Sequence, residues 1–185
     1  MRQLTKRLAA LKMIGVAASF KERLIIANGL FSSKLIYQIS LWGGAEDYLI
    51  NALQKVQNRA VKFVTQVQRE TTTIEMLKSC GWLTVRQLVL YHSIILVQKT
   101  LLTGYPRYIF ERLPTEFTRE TRLAGTRCLR LALTKRATLR ISEKSFIHRA
   151  LSSYNQIPVK LRSVENISTF KLKLKIWLLA DDQNV

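Results

Sequence analysis

"DYLINALQKVQNRAVKFV", residues 47–64, is the stretch that decides the fold class. Its apolar residues recur at steps of three and four, which is the spacing of one face of an α-helix. They are Leu49, Leu53, Val56, Ala60, Phe63 and Val64. Lys55, Arg59 and Lys62 fall on the opposite face. The stretch therefore predicts an amphipathic helix, begun at Asp47, that packs on a core and turns three cations to solvent.

The residues before this stretch predict two further helices. The first is carried by an apolar series at helical spacing, and Gly15 ends it. That series is Leu4, Leu8, Leu11 and Ile14. A second helix is predicted over residues 21–38, with its apolar stripe formed by Leu24, Ala27, Phe31, Leu35 and Gln38. Trp42 and the two glycines after it are predicted to interrupt the helical structure with a tight backbone turn before the central helix.

Turn and cap residues mark the helices that follow. One of the residues Thr71–Thr73 is expected to cap a short helix, and Thr84 is expected to cap a fifth helix. The apolar stripe predicted for that fifth helix is Leu88, Tyr91, His92, Ile95 and Leu96. Pro106 is expected to begin a short helix, because proline suits the first helical turn. Two closing helices are predicted, the first capped by Ser142 with Ser145 and the last by Ser168.

The chain before the two closing helices is basic and irregular. Residues 107–149 contain eleven Lys and Arg against four Glu, which leaves a local net charge of +7. Residues 118–141 show no helical period, so we predict an irregular basic connector with room for one or two short strands. The expected fold is mainly α. It consists of a helical bundle over residues 1–103, followed over residues 104–185 by the connector and two closing helices.

The net charge of the whole chain limits the kinds of partner that the protein is expected to bind. Thirty Lys and Arg against twelve Asp and Glu among 185 residues give a net charge of +18 and a pI near 10.4. Such an excess repels itself in a compact fold unless a polyanion neutralises it. Nucleic acid is the commonest such partner, and an anionic membrane surface is the main alternative. A basic domain without a polyanion partner is the third interpretation.

Residues that could carry chemistry are few. Cys80 and Cys128 lack metal-ligand spacing, so the sequence predicts neither a metal site nor a disulfide framework. Isolated cysteines indicate a reducing compartment, and we expect a nuclear or cytoplasmic protein. His92 falls among apolar residues and is predicted to be a core histidine. The pair Asp181 and Asp182 lacks the third acidic ligand that two-metal catalysis needs, so we predict no catalytic residue and no cofactor.

Phosphate binding is the chemistry that the sequence does support. Arginine offers a planar fork of donors to phosphate oxygens, and aromatic side chains stack on unpaired bases. We expect seven connector cations to line a groove that follows a nucleic-acid backbone. They are Arg119, Arg122, Arg127, Arg130, Lys135, Arg136 and Arg140. Lys55, Arg59 and Lys62 belong to the same candidate site, and an ordinary solvated basic surface is the alternative.

Four stretches of the chain, in their order, resemble one known family. They are "RLIIANGLFSSKLIYQISLWGGA" (23–45), "LQKVQNRAVKFVT" (53–65), "LKSCGWLTVRQLVLYHSIILVQKT" (77–100) and "YNQIPVKLRSVENISTFKLKLKIWLL" (154–179). The matching residues are Lys34, Leu35, Tyr37, Trp42, Gly43, Leu53, Gln57, Asn58, Arg59, Ala60, Trp82, Leu83, Val85, Arg86, Tyr91, His92, Asn155, Pro158, Leu161, Arg162, Phe170, Lys171, Leu174 and Lys175. The chain is similar to the C-terminal part, thumb and following segment, of the reverse transcriptase of non-LTR (LINE-type, jockey-like) retrotransposons.

This resemblance implies a helical unit that grips a template–product duplex and holds RNA and target DNA. The family's catalytic Tyr/Phe-Ala-Asp-Asp motif is absent, because the pair at Asp181 lacks the preceding aromatic-Ala, and the palm and fingers are missing. The resemblance therefore implies a non-catalytic portion, a fragment or remnant, that binds RNA or an RNA–DNA duplex through phosphates. The missing palm and fingers are an implied partner.

Two other classes of function stay open at this point. One is a DNA-binding or chromatin-associated module derived from such a remnant. The other is a membrane-surface or protein-interaction adaptor, since "STFKLKLKIWLL", residues 168–179, mixes lysines with apolar residues as membrane-surface helices do. We expect a nucleic acid rather than a membrane as the partner. Broad apolar stripes on the first three helices also indicate self-association.

Overall fold

A computed structural model describes residues 2–14, 17–67, 71–113 and 145–180 of the chain. These residues are mostly helical, and no strand occurs among them, which confirms the predicted mainly α class. The predicted basic connector with its room for short strands, residues 118–141, lies outside the described ranges.

The helices of the described ranges are numbered here in chain order. They are α1 (Arg2–Ile14), α2 (Phe20–Ala27), a π-helical turn (Asn28–Ser32), α3 (Ser33–Ile36), α4 (Ile39–Trp42), α5 (Asp47–Thr65), α6 (Thr73–Ser79), α7 (Val85–Thr103), α8 (Arg107–Phe110), α9 (Phe146–Gln156), α10 (Val159–Arg162) and α11 (Ile167–Ala180).

The chain forms two compact units, Met1–Leu88 and Val89–Val185. The boundary falls inside α7, whose first residues belong to the first unit and whose remaining residues belong to the second. The predicted division after residue 103 follows a change of composition rather than of packing, and it stays a prediction.

The core of the first unit gathers the apolar faces of its longer helices. Helix α5 contributes Val56, Ala60 and Val64, as its sequence spacing predicts. The buried apolar residues of the other elements in this cluster are Leu4, Leu8, Leu11, Ala27, Phe31, Leu35, Met76, Leu77, Trp82 and Val85. Leu49, Leu53 and Phe63, which were assigned to the same face of α5, are only partly covered or exposed. The predicted apolar face of α5 is therefore confirmed along its centre.

The π-helical turn between α2 and α3 is held by partners from two other parts of the first unit. The Trp82 indole N–H donates to Asn28 Oδ1 at 2.9 Å, and its ring stacks on Phe31 with centroids 6.2 Å apart. Arg7 donates from its guanidinium to the Leu30 carbonyl at 2.9 Å. A π turn widens the helix and alters its backbone hydrogen bonding, so such outside contacts stabilise it.

The second helix predicted over residues 21–38 is wrong at its C-terminal end. The helical segment runs from Phe20 to Ile36, and Gln38 has a φ of +51°, in the left-handed region. A residue in this conformation cannot continue a right-handed helix, so the chain turns there before α4. Gln38 is exposed and does not belong to the apolar stripe.

Two glutamines fix the orientation of α5 in the first unit. The Gln57 side-chain amide donates to the Leu83 carbonyl at 2.8 Å, and Gln54 Oε1 accepts from the Val85 backbone N–H at 2.8 Å. The Gln54 amide also donates to Gln57 Oε1 at 3.0 Å, which joins the two glutamines. Gln57 is buried, and its hydrogen bonds offset the cost of burying a polar amide. We call Gln54 and Gln57 the glutamine clamp.

Three described helices, α2, α6 and α7, begin with reciprocal side-chain caps, and the cap of α2 joins Ser19 and Glu22. Thr72 Oγ1 accepts from the Glu75 backbone N–H at 3.3 Å, and Glu75 Oε2 accepts from the Thr72 N–H at 3.0 Å. Thr84 and Gln87 form the same pair of hydrogen bonds, at 3.2 and 3.0 Å. These are capping boxes, and the predicted caps at the start of α6 and α7 are confirmed.

Of the N-caps predicted for the two closing helices, Ser145 is confirmed and Ser168 is wrong. The Ser145 hydroxyl accepts from the His148 backbone N–H at 3.4 Å, as predicted for the start of α9. Helix α11 begins one residue before the predicted cap Ser168, because the Asn166 side chain accepts from the N–H groups of Ser168 and Thr169, at 2.9 and 3.1 Å. Asparagine caps as well as serine, and the first residue with this geometry determines the start of the helix.

A buried polar network crosses the core of the second unit. The Tyr154 hydroxyl donates to Gln98 Oε1 at 2.6 Å, and the Gln98 amide donates to the carbonyls of Val164 and Arg162, at 2.9 and 3.3 Å. This network ties α7 and α9 to the turn before α11. The buried apolar residues around it include Ile94, Val97, Leu151, Ile157, Phe170, Leu174 and Leu178.

The stripe predicted for α7 does not contain its most buried residues. The five predicted residues, Leu88, Tyr91, His92, Ile95 and Leu96, are half-buried. The fully buried residues of this part of α7 are Val89, Ser93, Ile94, Val97, Gln98 and Thr100. Three of them are polar, which explains why a pattern of apolar residues alone selected a neighbouring face.

Gln57→Leu is expected to lower the free energy of unfolding by about 1–3 kcal/mol, because it leaves the buried Leu83 carbonyl without its donor. Urea denaturation followed by circular dichroism measures the change. Gln156→Leu, at the exposed end of α9, is the control and should leave the unfolding midpoint almost unchanged. Equal effects of the two substitutions would contradict the clamp.

Burial raises the pKa of Tyr154 to about 12, which makes the second unit sensitive to alkali. The unfolded chain loses this proton near pH 10, whereas the folded chain keeps it, so the free energy of unfolding falls as pH rises from about 10 to 12. The stability advantage of the wild type over Tyr154→Phe should therefore shrink by about 2 kcal/mol across that range. Paired urea titrations at several pH values measure it, and an advantage that does not depend on pH would contradict the assignment.

Candidate nucleic-acid interface

Lys55, Arg59 and Lys62 are all exposed on the face of α5 that points away from the core. Steps of four and three residues place them on one line along the helix, rising over about 10 Å. One strand of a duplex carries a phosphate about every 3.4 Å along its axis, so a row of this length spans about three phosphates. We call these three residues the cation row. The structure thus confirms the predicted solvent-facing position of all three.

The surroundings of the cation row are free of carboxylates contributed by α5 itself. The single acidic residue of the helix, Asp47, lies at its first position and forms an ion pair with Arg86 at 2.9 Å. The exposed residues that continue the row toward the two ends of the helix are Tyr48, Asn51 and Gln66, which are uncharged. The α5 surface therefore presents positive charge beside neutral polar groups.

Contacts on the other sides of α5 determine that the cation row faces the solvent. Val56, Ala60 and Val64 are buried in the core, and the glutamine clamp holds a third side of α5 against the residues that lead into α7. A rotation of α5 that buried the row would expose the apolar side chains and break the clamp. The fold itself thus keeps the three cations in water.

Two arginines of the first unit are used by the fold instead of the surface. Arg23 is buried, and its guanidinium donates to the Val64 carbonyl at 3.0 Å and also to the Ala18 carbonyl. Val64 is in the last turn of α5, where carbonyls have no partner within the helix. Arg7, which holds the Leu30 carbonyl, is half-buried. Neither role was predictable from the sequence, because the Val64 and Leu30 carbonyls lie 41 and 23 positions away from Arg23 and Arg7.

The seven connector cations proposed for the groove lie outside the described residues, since residues 114–144 are not described. They are Arg119, Arg122, Arg127, Arg130, Lys135, Arg136 and Arg140. The predicted groove therefore stays a prediction. Among the ten predicted site residues, the structure places the three of the cation row.

The candidates for acid–base and metal chemistry occupy ordinary structural positions. His92 is half-buried beside Tyr91, and burial together with the nearby Lys171 cation lowers its pKa, which favours the neutral ring. Burial raises the pKa of the Cys80 thiol. No three His, Cys, Asp or Glu side chains come together within the described part of the chain, and Asp181 and Asp182 lie outside it.

No helix within the described ranges is long and apolar enough to span a bilayer. Comparison with known proteins found no match: no family model fits the chain, and neither a curated protein nor a solved structure is significantly similar to it. The resemblance to retrotransposon reverse transcriptases consequently remains a prediction from the sequence.

Substitution by methionine should lower the free energy of unfolding at Arg23 but hardly at Arg59. Arg23→Met is expected to lower the free energy of unfolding by about 1.5–3 kcal/mol, because it removes charge-assisted hydrogen bonds from the end of α5. Arg59→Met, on the exposed row, should change it by less than about 0.5 kcal/mol. Thermal and urea unfolding of both variants test this difference. Two equally stable variants would show that Arg23 is not part of the core.

Proposed function

We propose that this protein is a non-catalytic module that binds RNA or an RNA–DNA duplex through its phosphates. The observation that carries the proposal is the cation row, three exposed positive side chains in line on a helix whose orientation the core fixes. The net charge of +18 over the whole chain supports it, because a polyanion relieves the repulsion among so many cations.

Phosphate binding by such a row depends on counterion release and not on the identity of the bases. Each phosphate that a Lys or Arg neutralises frees condensed counterions, so affinity falls steeply with salt concentration. Arginine binds with a two-pronged donor fork, whereas lysine acts as a flexible point charge, and the row contains both. Binding of this type is strong but has little sequence preference.

The connector cations are proposed to extend this phosphate contact. Residues 107–149 carry a local net charge of +7. Arg119, Arg122, Arg127 and Arg130 recur at short intervals, which suits a segment that follows a backbone.

The similarity of the chain to non-LTR retrotransposon reverse transcriptases extends the proposal. On this interpretation the module is the thumb and following segment of such a polymerase, either as a portion that acts with palm and fingers or as a remnant. It binds the template–product duplex and leaves polymerisation to the palm. We propose a nuclear or cytoplasmic location, where its nucleic-acid partners occur, and self-association stays part of the proposal.

A membrane-surface role is the second candidate, and one observation on α11 favours it. Leu172 and Ile176 are exposed one turn apart, at 62% and 58%, and Lys171 and Lys173 are exposed beside them. An apolar pair flanked by lysines is typical of a helix that lies on anionic lipid. Sedimentation with phosphatidylserine vesicles separates this candidate from the first.

Replacement of the cation row by glutamine tests the proposed function. Lys55→Gln, Arg59→Gln and Lys62→Gln together should weaken RNA binding and lower the slope of log affinity against log salt. The slope should fall by about 2 for a single strand and about 3 for a duplex, because three phosphate contacts are lost. Glutamine keeps a high helix propensity, so the fold should remain intact.

The matched control removes three charges from exposed lysines on three separate helices. Lys12→Gln, Lys21→Gln and Lys173→Gln together reduce the net charge equally and should change the salt slope by less than half as much. Equal slopes for the row variant and the control variant would contradict a dedicated row. Competition among RNA, duplex DNA and hybrid then decides between the reverse-transcriptase interpretation and a DNA-binding or chromatin module.

A further inference from the structure

The first unit contains an open cavity of about 500 Å³ beside the N-terminal half of α5. Its floor is apolar and includes Leu4, Leu35 and Leu53. Tyr37 and Trp42 form an aromatic side of the cavity. A volume of this size is within the range of sites that hold small molecules or single groups of a larger ligand.

The aromatic side of the cavity is fixed by contacts within the protein. The Trp42 indole N–H donates to the Tyr37 carbonyl at 2.9 Å, so the polar edge of the indole is already used. Gln38, in the left-handed conformation, turns the chain between α3 and α4. Tyr37 precedes this turn and Trp42 follows it, and both line the cavity. With this N–H already used, the Trp42 indole offers a ligand its apolar ring surface.

Two cations stand among the residues that line the cavity. Lys34 Nζ lies 5.0 Å from the centroid of the Tyr37 ring, a cation–π contact that holds the ammonium next to the aromatic side. Arg2 lines the cavity as well, and none of the described lining residues is acidic. The ligand that suits this arrangement has a flat, apolar part for the rings and the floor, and an anionic part for Arg2 and Lys34.

The cavity and the cation row share α5. Leu49 and Leu53 line the cavity, whereas Lys55 and Arg59 lie about 80–160° around the same helix and further toward its C-terminus. A nucleic-acid strand on the row would therefore have to turn around the N-terminal half of α5 to place a nucleotide in the cavity. A nucleotide has both parts that the cavity selects for, a planar base and an anionic phosphate.

We propose that this cavity takes one unpaired base of a single-stranded nucleic acid, stacked on Trp42 and Tyr37, with its phosphate at Arg2 and Lys34. This inference rests on the proposed function and specifies it: the module prefers a strand with unpaired bases, such as a template ahead of a duplex or a strand end, over a continuous duplex. In a blunt duplex every base is paired and stacked inside, so the cavity stays unused.

The test compares a short fluorescein-labelled oligouridylate with a blunt RNA duplex of the same length, by anisotropy at one fixed salt concentration. Tyr37→Ala and Trp42→Leu should each weaken binding of the single strand by about tenfold, within the range found for removal of a stacking partner. Both should leave duplex binding within about twofold, since the cation row is unchanged. Tyr37 is 60% exposed, so its substitution should not disturb folding, which circular dichroism checks.

Phe20→Ala is the matched control. Phe20 is an exposed aromatic residue of the same unit at the start of α2, and it neither lines the cavity nor belongs to the cation row, so single-strand binding should stay near the wild-type value. Lys34→Gln should weaken the single strand more than the duplex. Equal losses for Phe20→Ala and Tyr37→Ala, or equal losses on single strand and duplex, would overturn the cavity assignment.

The same assay distinguishes an error in the base site from an error in the proposed function. If wild-type protein binds both probes and the cavity variants bind the single strand normally, the base site is wrong, and an apolar side chain of a protein partner becomes the better occupant. If the wild type binds neither probe, the phosphate-binding function itself is wrong, and the base site is overturned with it.

Discussion

The first unit depends on the glutamine clamp between α5 and the residues that lead into α7. An apolar face alone would allow α5 to rotate by some tens of degrees, because hydrophobic burial has little directional preference. The hydrogen bonds from Gln57 to the Leu83 carbonyl and from the Val85 N–H to Gln54 remove this freedom, since they need a defined geometry. The same hydrogen bonds set the direction of Lys55, Arg59 and Lys62, so a buried polar contact determines what the outer surface presents.

Local signals in the sequence predicted much of this fold. The apolar period of α5 and the threonine caps at the start of α6 and α7 depend on residues within one or two turns, and a sequence displays them directly. The features that the sequence did not predict join residues far apart in the chain. Gln57 and Leu83 are 26 positions apart, and Arg23 and Val64 are 41 apart. Polar side chains of this kind are indistinguishable from surface residues until their partners are known.

The candidate site was predictable to a similar degree. Solvent exposure of the cation row followed from helical periodicity, whereas the cavity did not, because it needs the turn at Gln38 to place both Tyr37 and Trp42 along it. The sequence indicated Trp42 as part of a helix break and of the family resemblance, but not as part of a cavity. A left-handed residue other than glycine is hard to foresee from sequence, and its local strain is stabilised by surrounding contacts. The exposed position of the cation row was therefore predictable from periodicity, and the cavity only from tertiary structure.

The cation row is difficult to explain by folding alone. Lys55 and Arg59 are four residues apart on α5, and like charges at this spacing destabilise a helix by a few tenths of a kcal/mol. Lys62 in the last turn gains from the helix dipole, but the other two lie in the middle of the helix and do not. Arg23, by contrast, is buried and hydrogen-bonded to the end of the same helix. Positions that cost the fold stability without a return in packing are where binding is expected, so the physical cost of the row itself argues for an anionic partner.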